Sequence, residues 1–195
     1  MTTTPLQTSV PCDDDAMAAI VAALNGPDED ALSLINDALA RWPRDHRLWF
    51  LRASIYAGQQ RRAEARVDFT QTLALEPEFD VARFMLGFLE LMDQRVQEAA
   101  LAWGPLDRLE ETDALRVFKS GLLDLSEDRF GQALEQLKRG LALNERHPAI
   151  NGYVEAVIAR IESMPSFEQG VTALSADMPD SHVLLSGYQI SPTRH

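Results

Sequence analysis

The residue types that most often carry out chemistry are few in this chain and poorly spaced for it. The four histidines lie at His46, His147, His182 and His195, and no two have the i, i+4 spacing with which a helix binds zinc. The single cysteine, Cys12, cannot form an intrachain disulfide and lies close to the N-terminus. We therefore expect no metal site, no cofactor and no catalytic cysteine.

The carboxylates are numerous, but they do not form an isolated acid–base pair. They concentrate at expected turns and helix starts, such as 13–15 and 28–30, where the helix dipole favours negative charge. Asp45 and Asp113 are expected to be N-caps of helices. The sequence also has no glycine-rich phosphate loop and no G-x-S-x-G nucleophile turn. These patterns predict a protein that is not an enzyme.

Composition narrows the classes of partner. The chain has 195 residues and a formal net charge of −12, which argues against nucleic acid and anionic membrane surfaces as ligands. No stretch approaches the ~18 consecutive apolar residues of a membrane-spanning helix, so we expect no membrane insertion. The first residues have neither a positive charge nor an apolar run, which is unlike a secretory signal. We expect a cytoplasmic protein.

Small residues recur at a constant interval along the chain, and this interval defines four units: 12–45, 46–79, 80–113 and 114–147. Each unit is expected to be a pair of helices, with the small residues where the paired helices cross. In the first unit, the expected helices 14–24 and 29–41 are separated by the turn signal Asn25-Gly26-Pro27. The recurring small residues are Ala31, Ala65, Ala99 and Ala133 in one series, and Ala19, Ala53, Gly87 and Gly121 in the other.

The second unit resembles the tetratricopeptide repeat (TPR), whose signature is W-x2-L-G-x2-Y, then A-x3-F, then P. Two positions depart from it, since Arg52 and Ala53 replace the signature Leu and Gly, and Arg52 is expected to keep its charge at the edge. The resemblance implies an all-α fold, a right-handed TPR superhelix of antiparallel helix pairs. The matching residues are Trp49, Tyr56, Ala65, Phe69 and Pro77.

The third unit and the two ends depart from the regular pattern. Gly104-Pro105 falls inside an expected helix and predicts a kink near 101–105, with Trp103 filling the space beside it. Residues 148–162 are expected to form a helix that caps the stack. Residues 1–11 are expected to be a flexible arm, and residues 163–195 a tail that is either docked or mobile.

In TPR proteins the first helix of each unit lines the concave surface, so the resemblance also implies a binding groove. Its floor would be apolar and partly exposed, unless the rings are core covered by the tail or the N-terminal arm. An exposed apolar patch of that size is rare on a monomer that binds nothing. The predicted floor consists of Phe50, Phe84, Phe88, Leu91, Phe118 and Leu122, with the cations Arg47 and Lys119 nearby.

The expected function is that of an adaptor or scaffold that binds a protein or peptide with apolar anchors, such as an amphipathic helix, in this groove. Two alternatives stay open. The chain is also similar to the small acidic TPR chaperones of type III secretion, which guard hydrophobic translocators. The other alternative is a structural subunit that self-associates through the 163–195 tail.

Overall fold

The computed structural model describes residues 11–163, and that part of the chain contains only helices. The all-α prediction is therefore confirmed. The predicted arm 1–11 and tail 163–195 lie outside the described residues, apart from their innermost positions. The α-helices are α1 (Asp14–Ala23), α2 (Asp28–Arg41), α3 (His46–Gly58), α4 (Arg62–Leu75), α5 (Asp80–Met92), α6 (Val96–Trp103), α7 (Ala114–Ser126), α8 (Phe130–Leu143) and α9 (Asn151–Glu162).

Consecutive helices pack on one another along the whole described chain. The closest packing is within the pairs α3–α4, α5–α6 and α7–α8, and each pair continues onto the next helix in sequence. The fold is thus an all-α solenoid of helix pairs. A short 3-10 helix, Pro148–Ile150, leads into α9, which packs on α8.

The turns inside the second, third and fourth units have the same backbone geometry and are equally spaced along the chain. Each contains one residue in the left-handed region, and the arginine after it donates its backbone N–H to the carbonyl five residues earlier. That hydrogen bond closes the end of the preceding helix. The left-handed residues are Gln60, Gln94 and Asp128, with φ of 58°, 61° and 59°. The structural period therefore equals the sequence period.

The recurring small residues are buried at helix contacts in every unit after the first helix. A methyl group on Gly87 would overlap the Trp103 indole, and one on Gly121 would lie 3.0 Å from Leu137. Ala19 departs from the prediction because it is exposed, whereas α1 buries Met17 and Ile20 instead. The buried members are Ala31, Ala53, Ala65, Gly87, Ala99, Gly121 and Ala133.

The predicted interruption of the third unit is present. Helix α6 ends at Trp103, and the chain continues as a 3-10 helix, Gly104–Arg108, that carries Pro105 in its first turn. Proline has no backbone N–H and cannot continue the α-helical ladder. Trp103 is fully buried, and its indole N–H donates to the Phe84 carbonyl at 2.9 Å. The short helix thereby positions this ring against α5.

The expected N-caps are confirmed, but the expectation for Arg52 is wrong. Asp45 accepts from the backbone N–H of Arg47, and Asp113 accepts from that of Leu115. Arg52 does not leave its charge at the edge, because the buried carboxylate of Asp68 lies opposite and accepts two hydrogen bonds from it, at 2.7 and 3.0 Å.

Candidate interaction surface

All six residues predicted to form the groove floor are buried. The expectation that they are partly exposed in the free protein is therefore wrong. Their positions on the first helices of the units are as predicted, but other helices cover them. The six are Phe50, Phe84, Phe88, Leu91, Phe118 and Leu122, none more than 4% exposed.

Phe84 is the centre of the aromatic cluster that buries most of this floor. Its ring centroid lies 6.0 Å from that of Trp103, 6.0 Å from that of Phe118 and 6.3 Å from that of Phe88. Phe88 in turn meets Tyr153 edge-on, with centroids 5.8 Å apart. Offset and edge-to-face pairs at these distances are favourable contacts. The cover is thus provided by α6 and α9, the helices that carry Trp103 and Tyr153.

Phe50 belongs to a different part of the same core. Its ring centroid lies 5.8 Å from that of Phe69 and 4.8 Å from that of Phe79, and Phe79 also contacts His46. Phe69 comes from α4 and Phe79 from the loop that leads into α5. The predicted row of rings is therefore divided between two neighbouring groups rather than forming one open stripe.

Helix α9 is amphipathic, and its apolar face lies in the aromatic core. The exposed face carries Glu155, Ala159 and Arg160. The cluster around Phe88 therefore already holds one amphipathic helix, which comes from the same chain. The buried side chains of α9 are Tyr153, Val154, Val157, Ile158 and Ile161.

The packing of α9 on the aromatic core leaves one buried polar group without a hydrogen bond among the described residues. The hydroxyl of Tyr153 is buried and has no hydrogen-bond partner in the described part of the chain. The same burial raises the pKa of Tyr153 above its ordinary value, because an ionised phenolate would be poorly solvated there. Leaving a buried hydroxyl without a partner costs about 1–3 kcal/mol.

The two cations predicted near the groove are both paired with acids of the chain. Arg47 contacts Asp45, with Nη2 and Oδ2 2.6 Å apart, and also donates to the carbonyl of Cys12 at 3.2 Å. Lys119 is largely buried, and its Nζ lies 2.7 Å from Oδ2 of Asp107. These pairs hold the N-terminal segment and the 3-10 helix of the third unit in place.

Two open grooves in the third and fourth units were not found by sequence reasoning. One, of about 270 Å³, lies beside Asp113, Asn144, Arg146 and His147. Burial there lowers the pKa of the His147 imidazole and favours its neutral form.

The other groove, of about 240 Å³, lies between α7 and α8 and is lined in part by Arg139. The sequence signal for the second groove is a change of residue type at two repeat positions, from the Arg52 and Asp68 of the second unit to short or neutral side chains.

None of the helices between residues 11 and 163 combines the length and hydrophobicity needed to cross a bilayer. Over the same range, no three His, Cys, Asp or Glu side chains converge as a metal site would require.

The comparisons with known proteins leave the family open. No protein-family model matches the sequence, and no curated protein matches it either. What the chain does must therefore be inferred from its own geometry.

Proposed function

We propose that this chain is a tetratricopeptide-repeat protein that acts by binding rather than by catalysis, and that it holds an amphipathic helix of a partner protein against its first-helix surface. The observation that carries the proposal is the seat of α9. This helix places its apolar face on the aromatic cluster, with Tyr153 against Phe88. A surface that accepts such a helix from its own chain has the shape and chemistry to accept one from another chain.

The repeated geometry supports the family assignment in this proposal. The interval from Gln60 to Gln94 and on to Asp128 is the length of a TPR unit, and buried small residues follow the same interval. The second unit carries most of the TPR signature. Arg52, at the Leu position of the signature, packs between the rings of Trp49 and Tyr56, at 4.9 and 5.8 Å from their centroids. The departure is thus accommodated within the helix pair.

In this mechanism the partner helix competes with α9 for the same apolar surface. The aromatic rings, above all Phe88, supply most of the affinity, as buried aromatic anchors do in other interfaces. Because the free protein is closed by α9, only the open fraction of molecules binds, and the apparent affinity is reduced by that fraction. The partner must therefore offer a better apolar face than α9 does.

Tyr153 gives a partner that advantage. Its buried hydroxyl has no hydrogen-bond partner within residues 11–163, which weakens the seat of α9 by about 1–3 kcal/mol. A partner helix with Phe or Leu at the corresponding point avoids this cost. Partners are therefore expected to carry a hydrophobic residue without a hydroxyl at the position that meets Phe88.

The test uses a fluorescein-labelled peptide of residues 148–162, the segment that occupies this surface in the structure. Its binding to the full chain is measured by fluorescence anisotropy, for the wild type and for Tyr153→Ser. The substitution removes the ring that holds α9 on Phe88, so the surface opens more often. We expect the peptide to bind Tyr153→Ser at least about tenfold more tightly than the wild type, a difference of ~1.4 kcal/mol.

Two controls accompany this measurement. Ala159→Ser alters the exposed face of the same helix and should leave peptide binding unchanged. Tyr153→Phe removes the unpartnered hydroxyl but keeps the ring, so it should close the surface further and weaken peptide binding. If Tyr153→Ser remains helical by circular dichroism but binds the peptide no better than the wild type, the proposal is wrong.

A further inference from the structure

The geometry points to a second binding site, in the groove between α7 and α8, for the oxyanion of an acidic peptide side chain. We infer that Arg116 and Arg139 hold a carboxylate or phosphate group there. The groove uses none of the residues that seat α9, so this inference goes beyond the proposed function and does not depend on it.

The repeat register accounts for the opening of this groove. Two repeat steps carry Arg52 to Ser120 and Asp68 to Gln136. In the second unit, the guanidinium of Arg52 and the carboxylate of Asp68 meet in a paired hydrogen bond and fill the seam between the two helices. In the fourth unit, the short side chain of Ser120 cannot reach across, and an open groove of about 240 Å³ is left.

The groove lining carries more positive than negative side chains. Its lining contains two arginines, Arg116 and Arg139, against one acidic residue, Glu111, in a chain of net charge −12. The other lining side chains, Val117, Ser120 and Gln136, are uncharged. A cationic concavity of this kind is complementary to an anionic group that enters it.

The hydrogen-bond donors of this groove have few partners within the described residues. Within residues 11–163, neither Arg139 nor Gln136 makes an ion pair or a side-chain hydrogen bond. Arg116 donates to the Leu109 carbonyl at 2.6 Å, but its nearest approach to Glu111 is 3.9 Å, and the Glu111 side chain is 87% exposed. Most other arginines of the described chain are in closer ion pairs, such as Arg52 with Asp68 at 2.7 Å.

These donors match an oxyanion in chemistry. A guanidinium presents a planar set of N–H donors that pairs with two oxygens of a carboxylate or phosphate, as Arg52 does with Asp68. The amide of Gln136 adds neutral donors. Because the net charge of the chain is negative and repels anions, binding depends on these short-range contacts, which act within the ~8–10 Å over which salt screens charge.

The test is an NMR titration of the full chain that follows the Nε–Hε signals of its arginines. The probes are an eight-residue glutamine peptide with two central glutamates, the same peptide with one central phosphoserine instead, and the all-glutamine peptide. We expect the two anionic peptides to shift the Arg116 and Arg139 signals saturably, with no change in the Arg160 signal. The tighter of the two identifies the source of the oxyanion, and the all-glutamine peptide should not bind.

Variants locate the site. Arg139→Gln should weaken binding of the anionic peptides by about tenfold or more, whereas Arg160→Gln, with the same charge change at an exposed site on α9, should alter it less than about twofold. Ser120→Leu fills the groove with the residue type found one unit earlier, at Leu86, and should abolish binding without unfolding the chain. No saturable shift at Arg116 and Arg139, or equal losses in Arg139→Gln and Arg160→Gln, would overturn the inference.

Discussion

The second and third units build the same helix pair in two different ways. In the second, the seam between helices holds an ion pair, since Arg52 lies over the ring of Trp49 and binds the buried Asp68. In the third, the seam holds the fully buried ring of Trp103, which fits only because Gly87 has no side chain. The spacing of the paired helices is thus set by an ion pair in the second unit, the charge-filled unit. In the third unit, the volume-filled unit, it is set by the size of a buried ring.

The repeating backbone geometry therefore does not determine which side chains fill the space between the paired helices. The turn geometry at Gln60 and Gln94 is the same, although the contents of the two helix pairs are not. The stability of the charge-filled unit should depend on both partners of its ion pair and on pH. The stability of the volume-filled unit should depend on the size of the buried side chains between its helices.

The largest expected loss of stability is in the volume-filled third unit. Trp103→Ala should reduce the free energy of unfolding by about 3–5 kcal/mol, because it leaves a cavity and frees the Phe84 carbonyl. Trp49→Ala is the matched control in the second unit, where the ring is only half-buried, and should cost less than ~2 kcal/mol. Urea denaturation measures both, and equal losses would remove the distinction between the units.

The next effect is in the charge-filled unit. Asp68→Ala leaves the half-buried guanidinium of Arg52 without its carboxylate, and should reduce the free energy of unfolding by about 2–3 kcal/mol. Glu64→Ala breaks the exposed pair with Arg61 and should cause no measurable loss. Similar denaturation midpoints for both variants would show that Asp68 contributes nothing beyond a surface pair.

A smaller effect tests what the two units share. Ala99→Leu should cost about 1–3 kcal/mol by overpacking, because Ala99 is fully buried where α6 meets its neighbours. Ala65→Leu, at the same repeat position in the second unit, should behave alike. Ala142→Leu, at an exposed position on α8, should be nearly neutral. An unchanged urea midpoint for Ala99→Leu would contradict the assigned register.

The smallest effect concerns pH at the start of the second unit. Burial raises the pKa of Asp45, but hydrogen bonds from Arg47 and from the Cys12 N–H outweigh it, so the net pKa lies below the ordinary 3.8. The contribution of Asp45 is therefore present above pH 3.8 and is lost as pH falls through the lowered pKa. Hydrogen exchange measured at decreasing pH should show that the backbone amides of α3 lose protection before those of α5. Asp45→Asn should reduce this difference, and identical acid sensitivity of both helices in the wild type would argue against it.

The fold was predictable from the sequence because its determinants are local. The N-caps at Asp45 and Asp113 and the interruption at Pro105 each act within a few residues of the backbone, and the repeat period can be read from residue types alone. Helical periodicity also placed Phe84 and Phe88 on the correct face. Their burial was not predictable, because it depends on Trp103 and Tyr153, which reach them from other helices. Similarly, the partner of Arg52 was missed because Asp68 lies on the next helix.

The contact between Phe88 and Tyr153 also has a consequence for how the chain unfolds. In a simple solenoid each unit is coupled only to its neighbours, so unfolding spreads from a free end. Here the last helix is fastened to the third unit. Buried side chains between Phe50 and Ile161 share one apolar core and those between Cys12 and Ile55 share another, with α3 contributing different side chains to each. While α9 is in place, the C-terminal core of the described chain should therefore melt as a single cooperative block, and the N-terminal core should open in a separate transition.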